Sequence, residues 1–229
     1  MTNPQTLPIL SLITLSHASP TALSALYAVC KDIGFFYLTD HGIPASTLIR
    51  LLELSRLFFL HAPAAEKAGL ARRNPDRARG YQQIGENITL GRRDAHEAVD
   101  LYAPPPRPRG PSVVGEGRAS IGEDEEGILS GENLWPSTPV ELRAEVEAYV
   151  ELVKRVGAEV VQAMALALGL KEDLGDGQWD SLVGQVRESF WVMRLIGYPS
   201  LEEESEGISC GEHTGLYFLL PYSLRYGRS

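Results

Sequence analysis

The stretch from Glu188 to Gly215 constrains this chain more than any other. It reads E-S-F-W-V-M-R-L-I-G-Y-P, then an acidic spacer, then I-S-C-G-E-H-T-G. Side chains alternate across an extended backbone, which puts Phe190, Val192 and Ile196 on one face and Trp191, Met193 and Leu195 on the other. Apolar residues on both sides describe a strand covered on both faces. Arg194 shares that strand with apolar neighbours, so its charge requires a partner. Beyond the strand a single histidine, His213, follows a glycine turn.

The chain before this stretch alternates helix and strand signals. L-P-I-L-S-L reads as an edge strand that tolerates Pro8 near its start. Ser19 and Pro20 form an N-cap and first-turn pair, with Leu23, Leu26, Tyr27 and Cys30 following at helical spacing until Gly34. F-F-Y-L-T has the aromatic and β-branched content of a strand, and D-H-G-I-P is a turn. From Ala45, Leu48, Leu51, Leu52, Phe58 and Phe59 mark a second amphipathic helix. P-A-A-E-K starts a short helix, Arg79, Gly80 and Tyr81 read as a turn against the core with a substrate contact as the alternative, and H-E-A-V-D-L-Y reads as a strand.

Residues 103–131 are rich in Pro, Gly and charge with almost nothing to bury, which marks an insertion or loop. Order returns at N-L-W-P. Thr138 with Glu141 makes a capping box, Pro139 takes the first helical position, and apolar residues from Leu142 to Leu168 recur at threes and fours up to Gly169.

Composition narrows the function classes. A net charge of −9 leaves no basic stripe for a nucleic-acid backbone. No apolar run approaches the roughly 20 residues of a bilayer-crossing helix, and no basic leader precedes an apolar core. Cys30 and Cys210 lie far apart without a C-x-x-C, which fits a reducing, cytoplasmic setting rather than a disulfide framework.

Taken together, G-F-F-Y-L-T-D-H-G-I-P, R-G-Y-Q-Q-I-G-E-N, N-L-W-P, and F-W-V-M-R-L-I-G-Y-P followed by G-E-H-T resemble the Fe(II)/2-oxoglutarate-dependent dioxygenases of the isopenicillin N synthase-like branch. The resemblance covers nearly all of residues 7–214 outside the insertion. It implies an α+β fold, a helical N-terminal region packed on an incomplete double-stranded β-helix, or jelly-roll. The organisation expected is an N-terminal dioxygenase region over 1–102, the 103–131 insertion, the supporting helix and first core strands over 132–214, and a non-family tail over 215–229. It also implies Fe(II) and 2-oxoglutarate as cofactors and oxidation of a small organic metabolite.

By the same resemblance His213 matches the first metal-binding histidine of the H-x-D motif. Tyr198 matches the tyrosine of N-x-Y-P, which helps hold the distal carboxylate of 2-oxoglutarate. Ile196 stands where the asparagine often lies, and a tyrosine closing a strand before Pro199 is the alternative.

Three parts of the pattern do not appear. Gly215 occupies the carboxylate position, and Glu212 is adjacent to His213 on the opposite strand face. No histidine follows His213, while His17, His41, His61 and His96 fall where the family places no ligand. The Arg-x-Ser clamp for 2-oxoglutarate has no counterpart beyond the terminal G-R-S. Halogenases of the family with Ala or Gly at the carboxylate position keep the second histidine. The expectation is therefore a chain with little or no turnover and doubtful cofactor binding, or a non-catalytic module of the same fold. Its uncovered strands invite self-association. Because the match stops abruptly after Thr214, the last residues are expected to come from a changed frame or splice, which sequencing the transcript across that codon checks.

Overall fold

A computed structural model describes residues 6–71, 78–89, 91–104, 131–188 and 190–199 of the chain. In chain order the first elements are β1 (Ile9–Ser11), α1 (Leu12–Ser16), α2 (Pro20–Asp32), β2 (Tyr37–Thr39), α3 (Ala45–His61) and α4 (Ala64–Gly69). They are followed by β3 (Gly80–Gln82), β4 (Ile88–Thr89), β5 (Arg92–Arg93), β6 (Glu97–Tyr102), α5 (Leu142–Ala167), α6 (Leu170–Leu174), α7 (Asp176–Arg187) and β7 (Val192–Gly197). No helix among the described residues is long and apolar enough to cross a membrane. The described residues divide into two compact units, one from those up to Leu51 and from Glu145 to Glu188, the other from those between Leu52 and Ala144 and from Phe190 to Pro199.

In the first unit β1 and β2 pair in parallel, with Ile9 opposite Tyr37 and Ser11 opposite Thr39. Ser19 stands at the N-cap of α2 with Pro20 in the first turn, although its hydroxyl makes no capping bond. At the other end Gly34 turns the chain at φ +81° and its N–H donates to Val29 O at 2.8 Å. The apolar stripe of α5 supplies Val156, Val160 and Ala163, which pack against Leu12, Leu15 and Leu26 with Phe36 and Leu38 around them. Each fully buried leucine contributes about 2 kcal/mol to holding the unit together. Arg155 of α5 donates to His41 O at 2.8 Å and to Glu159 at 3.1 Å, which fixes the D-H-G-I-P turn.

The second unit is built on a three-stranded antiparallel sheet in the order β3-β6-β7. β6 is the central strand and is buried along almost its whole length. Tyr81 stands opposite Val99, and Val99 opposite Leu195, so odd-numbered side chains share one face. On that face Tyr81 Oη donates to Glu97 Oε2 at 2.6 Å, and Lys67 Nζ donates to the same oxygen at 2.8 Å and to Phe59 O at 2.6 Å. The ammonium also lies 5.8 Å and 5.6 Å from the ring centroids of Phe58 and Tyr81, within cation–π range. Burial first, and then the bond to Glu97 and its charge, push the Tyr81 hydroxyl well above its ordinary range, so it stays a donor. A Cβ on Gly197 would come within 2.8 Å of the Phe59 ring, so the close approach of that ring requires a glycine in the strand.

Three expectations change here. The R-G-Y run is not a turn but the start of β3: Gly80 at φ +116° bends the chain so that Tyr81 N–H donates to Leu70 O at 2.7 Å. The capping box at Thr138 does not form, because α5 begins at Leu142 and the N–H groups of Ser137 and Thr138 donate instead to Glu66 Oε1 at 2.6 and 3.0 Å. The strand at 192–197 is not covered on both sides: Leu195 is 7% exposed on the odd face, whereas Ile196 is 41% exposed on the other.

Two outcomes check this account. A Cβ at Gly80 would sit 2.4 Å from Leu70 O in a backbone conformation that L-residues rarely adopt. Gly80→Ala should therefore destabilise the protein by about 3 kcal/mol in urea unfolding. Glu66 also accepts from Ser137 Oγ at 2.8 Å, and that bond, foremost among several, holds its carboxyl below the usual value of 4.5. A carboxyl whose pKa falls on folding stabilises above the unfolded value and loses that contribution as pH drops through the folded one. The melting-temperature gap between wild type and Glu66→Gln should accordingly be widest near neutrality and close below pH 4.5.

Candidate functional site

The even-numbered face of the β3-β6-β7 sheet gathers the polar groups that the odd face lacks. Cross-strand register sets Gln82 opposite Ala98 and Ala98 opposite Ile196, in one row. Asp100 stands opposite Arg194 in the next row. Below them the rings of His96 and Tyr198 lie 5.8 Å apart by centroid.

The Asp100–Arg194 pair is bidentate: Nε donates to Oδ1 at 2.6 Å and an Nη to Oδ2 at 2.8 Å. This is the partner that the charge of Arg194 required, and the pair's fork geometry locks the register of β6 against β7. Asp100 is almost fully buried, and Arg194 is partly open to solvent. Exposure rises across the face, from Gln82 and Ala98 at 0% to Ile196 at 41% and Tyr198 at 51%. The face is thus closed on its β3 side and open at the end of β7.

Tyr198 follows the last residue of β7 and is half exposed. His96, set aside on sequence grounds, is brought beside it and is itself buried. The signal was present in H-E-A-V-D-L-Y: its even positions carry His96 and Asp100 on one face, but the register that pairs them with Tyr198 and Arg194 is not readable from one strand alone. Gln82 was also missed. It is fully buried, and among the described residues neither atom of its carboxamide has a hydrogen-bond partner. His213 and Gly215 lie outside the described residues.

The fit to the implied cofactors follows from these donors. Among the described residues no three His, Cys, Asp or Glu side chains converge to hold a metal ion. The charge of Arg194 is already balanced by Asp100. The described face alone therefore does not make an iron site, and no chemical step through the metal is derived from it.

Residues 7–138 match the family model described as the N-terminal region of the non-haem dioxygenase in morphine synthesis. The homoarginine-6-hydroxylase 2-ODD-C23.2 of Arabidopsis thaliana is 34% identical over 186 residues, covering 81% of this chain and 46% of that protein. The 2-oxoglutarate-dependent dioxygenase frbJ of a Dothideomycetidae species is 28% identical over 209 residues, covering 89% of this chain and 51% of its own. In structure, a full-length Neurospora crassa protein in complex with alpha-KG is similar with a TM-score of 0.65 at 21% identity, over 93% of this chain and 62% of that one. This mixture of helix and strand is that of the 2OG-Fe(II) oxygenase fold. The chain belongs to the 2-oxoglutarate-dependent, Fe(II) non-haem dioxygenase family. It spans about half the length of the curated relatives it matches.

The ion pair gives a direct test. Arg194→Met would leave the buried Asp100 carboxylate without its fork, and breaking a buried pair from one side costs about 3 kcal/mol at the lower end of the range. Urea unfolding should show that loss. Arg194→Lys should recover only part of it, because a single ammonium cannot reproduce the two parallel bonds.

Proposed function

We propose that this chain carries part of the site for Fe(II)- and 2-oxoglutarate-dependent oxidation of a small organic molecule, on an incomplete double-stranded β-helix. The observation that supports the reading is the sequence M-R-L-I-G-Y-P, whose strand pairs with β6 and leads to a half-exposed Tyr198, followed in sequence by G-E-H-T. The hydroxylase names of the relatives support oxidation as the reaction type, and homoarginine, named for one group of them, is a small organic substrate. In this reading Tyr198 donates to the distal carboxylate of 2-oxoglutarate and His213 is a metal ligand. The bound iron would supply the oxidising power, while the chain's own residues orient the substrate and exclude water.

Gly215 favours a second, non-catalytic reading of these 229 residues by themselves. Fe(II) in a facial-triad site takes two imidazoles and a carboxylate, and a glycine at the carboxylate position offers no oxygen on its side chain. The two readings separate in an anaerobic Fe(II) titration with 2-oxoglutarate. The expected result is no metal-to-ligand charge-transfer band for the wild-type chain, with Gly215→Asp tightening Fe(II) binding at least about ten-fold. A band in the wild type would overturn the inactive reading.

A further inference from the structure

Helices α5 and α7, both in the first unit, line one open cavity of about 300 Å³, a size at the lower end of the range of small-molecule pockets. Trp179, Leu182, Val183 and Val186 recur at threes and fours along α7 and form its apolar wall. Only the tryptophan is buried, and the other three are half-buried. From α5 the wall includes Ala158 and Ala165, whose methyl groups fill little space. Apolar walls left half open to water forfeit part of their burial, a cost that an apolar occupant removes.

The charges on the lining give that occupant its sign. Lys154, Arg155 and Arg187 set three positive groups against the two acids Glu151 and Glu159, in a chain whose net charge is −9. Both acids are already engaged, because Lys154 pairs with Glu151 at 3.0 Å and Arg155 with Glu159 at 3.1 Å. Arg187 is the cation of the described lining that neither acid takes. It is exposed and directly follows Val186, the last apolar residue of the α7 stripe, so its charge stands where the apolar wall meets water.

We infer that the α5–α7 cavity is a binding site for a monocarboxylate with an apolar body, about ten heavy atoms in all, seated along the α7 stripe with its carboxylate at Arg187. The size follows from the volume, since one water-sized group takes about 30 Å³ in a liquid. A guanidinium forks onto a carboxylate through two parallel hydrogen bonds. A cationic ligand would meet the excess of positive charge with both acids occupied. A compact dicarboxylate such as 2-oxoglutarate has no apolar body to cover the stripe. The inference stands apart from the oxidation reading and draws on none of its residues.

The test uses the full chain without iron or 2-oxoglutarate. It is titrated with octanoate, a carboxylate of that size, and with 1-octanol, which keeps the chain and lacks the charge. Wild type should bind octanoate, with intermolecular NOEs from its methylenes to the methyl groups of Leu182, Val183 and Val186. Arg187→Gln should weaken octanoate at least about three-fold and leave 1-octanol unchanged. Ala158→Phe, which fills the cavity from α5, should lose both ligands at an unchanged far-UV circular dichroism spectrum. The NOEs and Arg187→Gln decide the matter should that variant not fold. The inference is overturned if octanoate does not bind, if the NOEs fall on other residues, or if Arg187→Gln weakens both ligands equally or neither. A folded Ala158→Phe that binds octanoate as wild type does also overturns it.

Discussion

The bidentate bond between Arg194 and Asp100 is the interaction on which the second unit depends. It joins residues 94 apart in sequence, with an insertion and three helices between them. Closing a loop of that length has an entropic cost, yet each doubling of loop length adds only about 0.6 kcal/mol, so a few well-placed contacts suffice. Apolar contacts on the odd face can bring β7 to β6 but fix register weakly, because neighbouring valines and leucines are interchangeable. The guanidinium fork fits one carboxylate in one register. A slip by one residue would turn Tyr198 and Arg194 to the opposite face, against Phe59 and Lys67.

That register divides the sheet by role. On the odd face Tyr81, Glu97 and Lys67 share hydrogen bonds among themselves, and Phe58 and Phe59 lie alongside. A cluster closed in this way stabilises the fold. The even face holds one closed pair, Asp100 with Arg194, and beside it groups that are buried on the β3 side and open on the β7 side. Strand alternation alone thus sets a closed hydrogen-bonded cluster and a half-open polar face back to back within a single layer.

Much of this was legible in the sequence, because the signals were local. The spacing of Leu23, Leu26 and Tyr27 and the glycine at 34 give α2, and the aromatic run at 35–39 gives β2. Even the need of Arg194 for a partner followed from its neighbours. What could not be read was non-local. Thr138 and Glu141 satisfy the capping pattern, but Glu66, some seventy residues earlier, takes the same amides. The helix at 176–187 was invisible because its glycines and acids hide a single buried anchor, Trp179. His96 was discounted because one strand cannot reveal what stands opposite it.

The same contrast explains why Gln82 escaped notice in a run that reads R-G-Y-Q-Q-I-G. Nothing distinguishes Gln82 from Gln83 in sequence, yet β3 buries the first completely and leaves the second exposed. Burial turns an ordinary glutamine into an energetic liability, since water no longer satisfies its amide. Selection for stability alone would favour an apolar side chain there, as Val99 and Leu101 illustrate on the other face of the neighbouring strand. Which of the two glutamines is buried depends on the strand that pairs beside it, and no spacing within R-G-Y-Q-Q-I-G encodes that pairing.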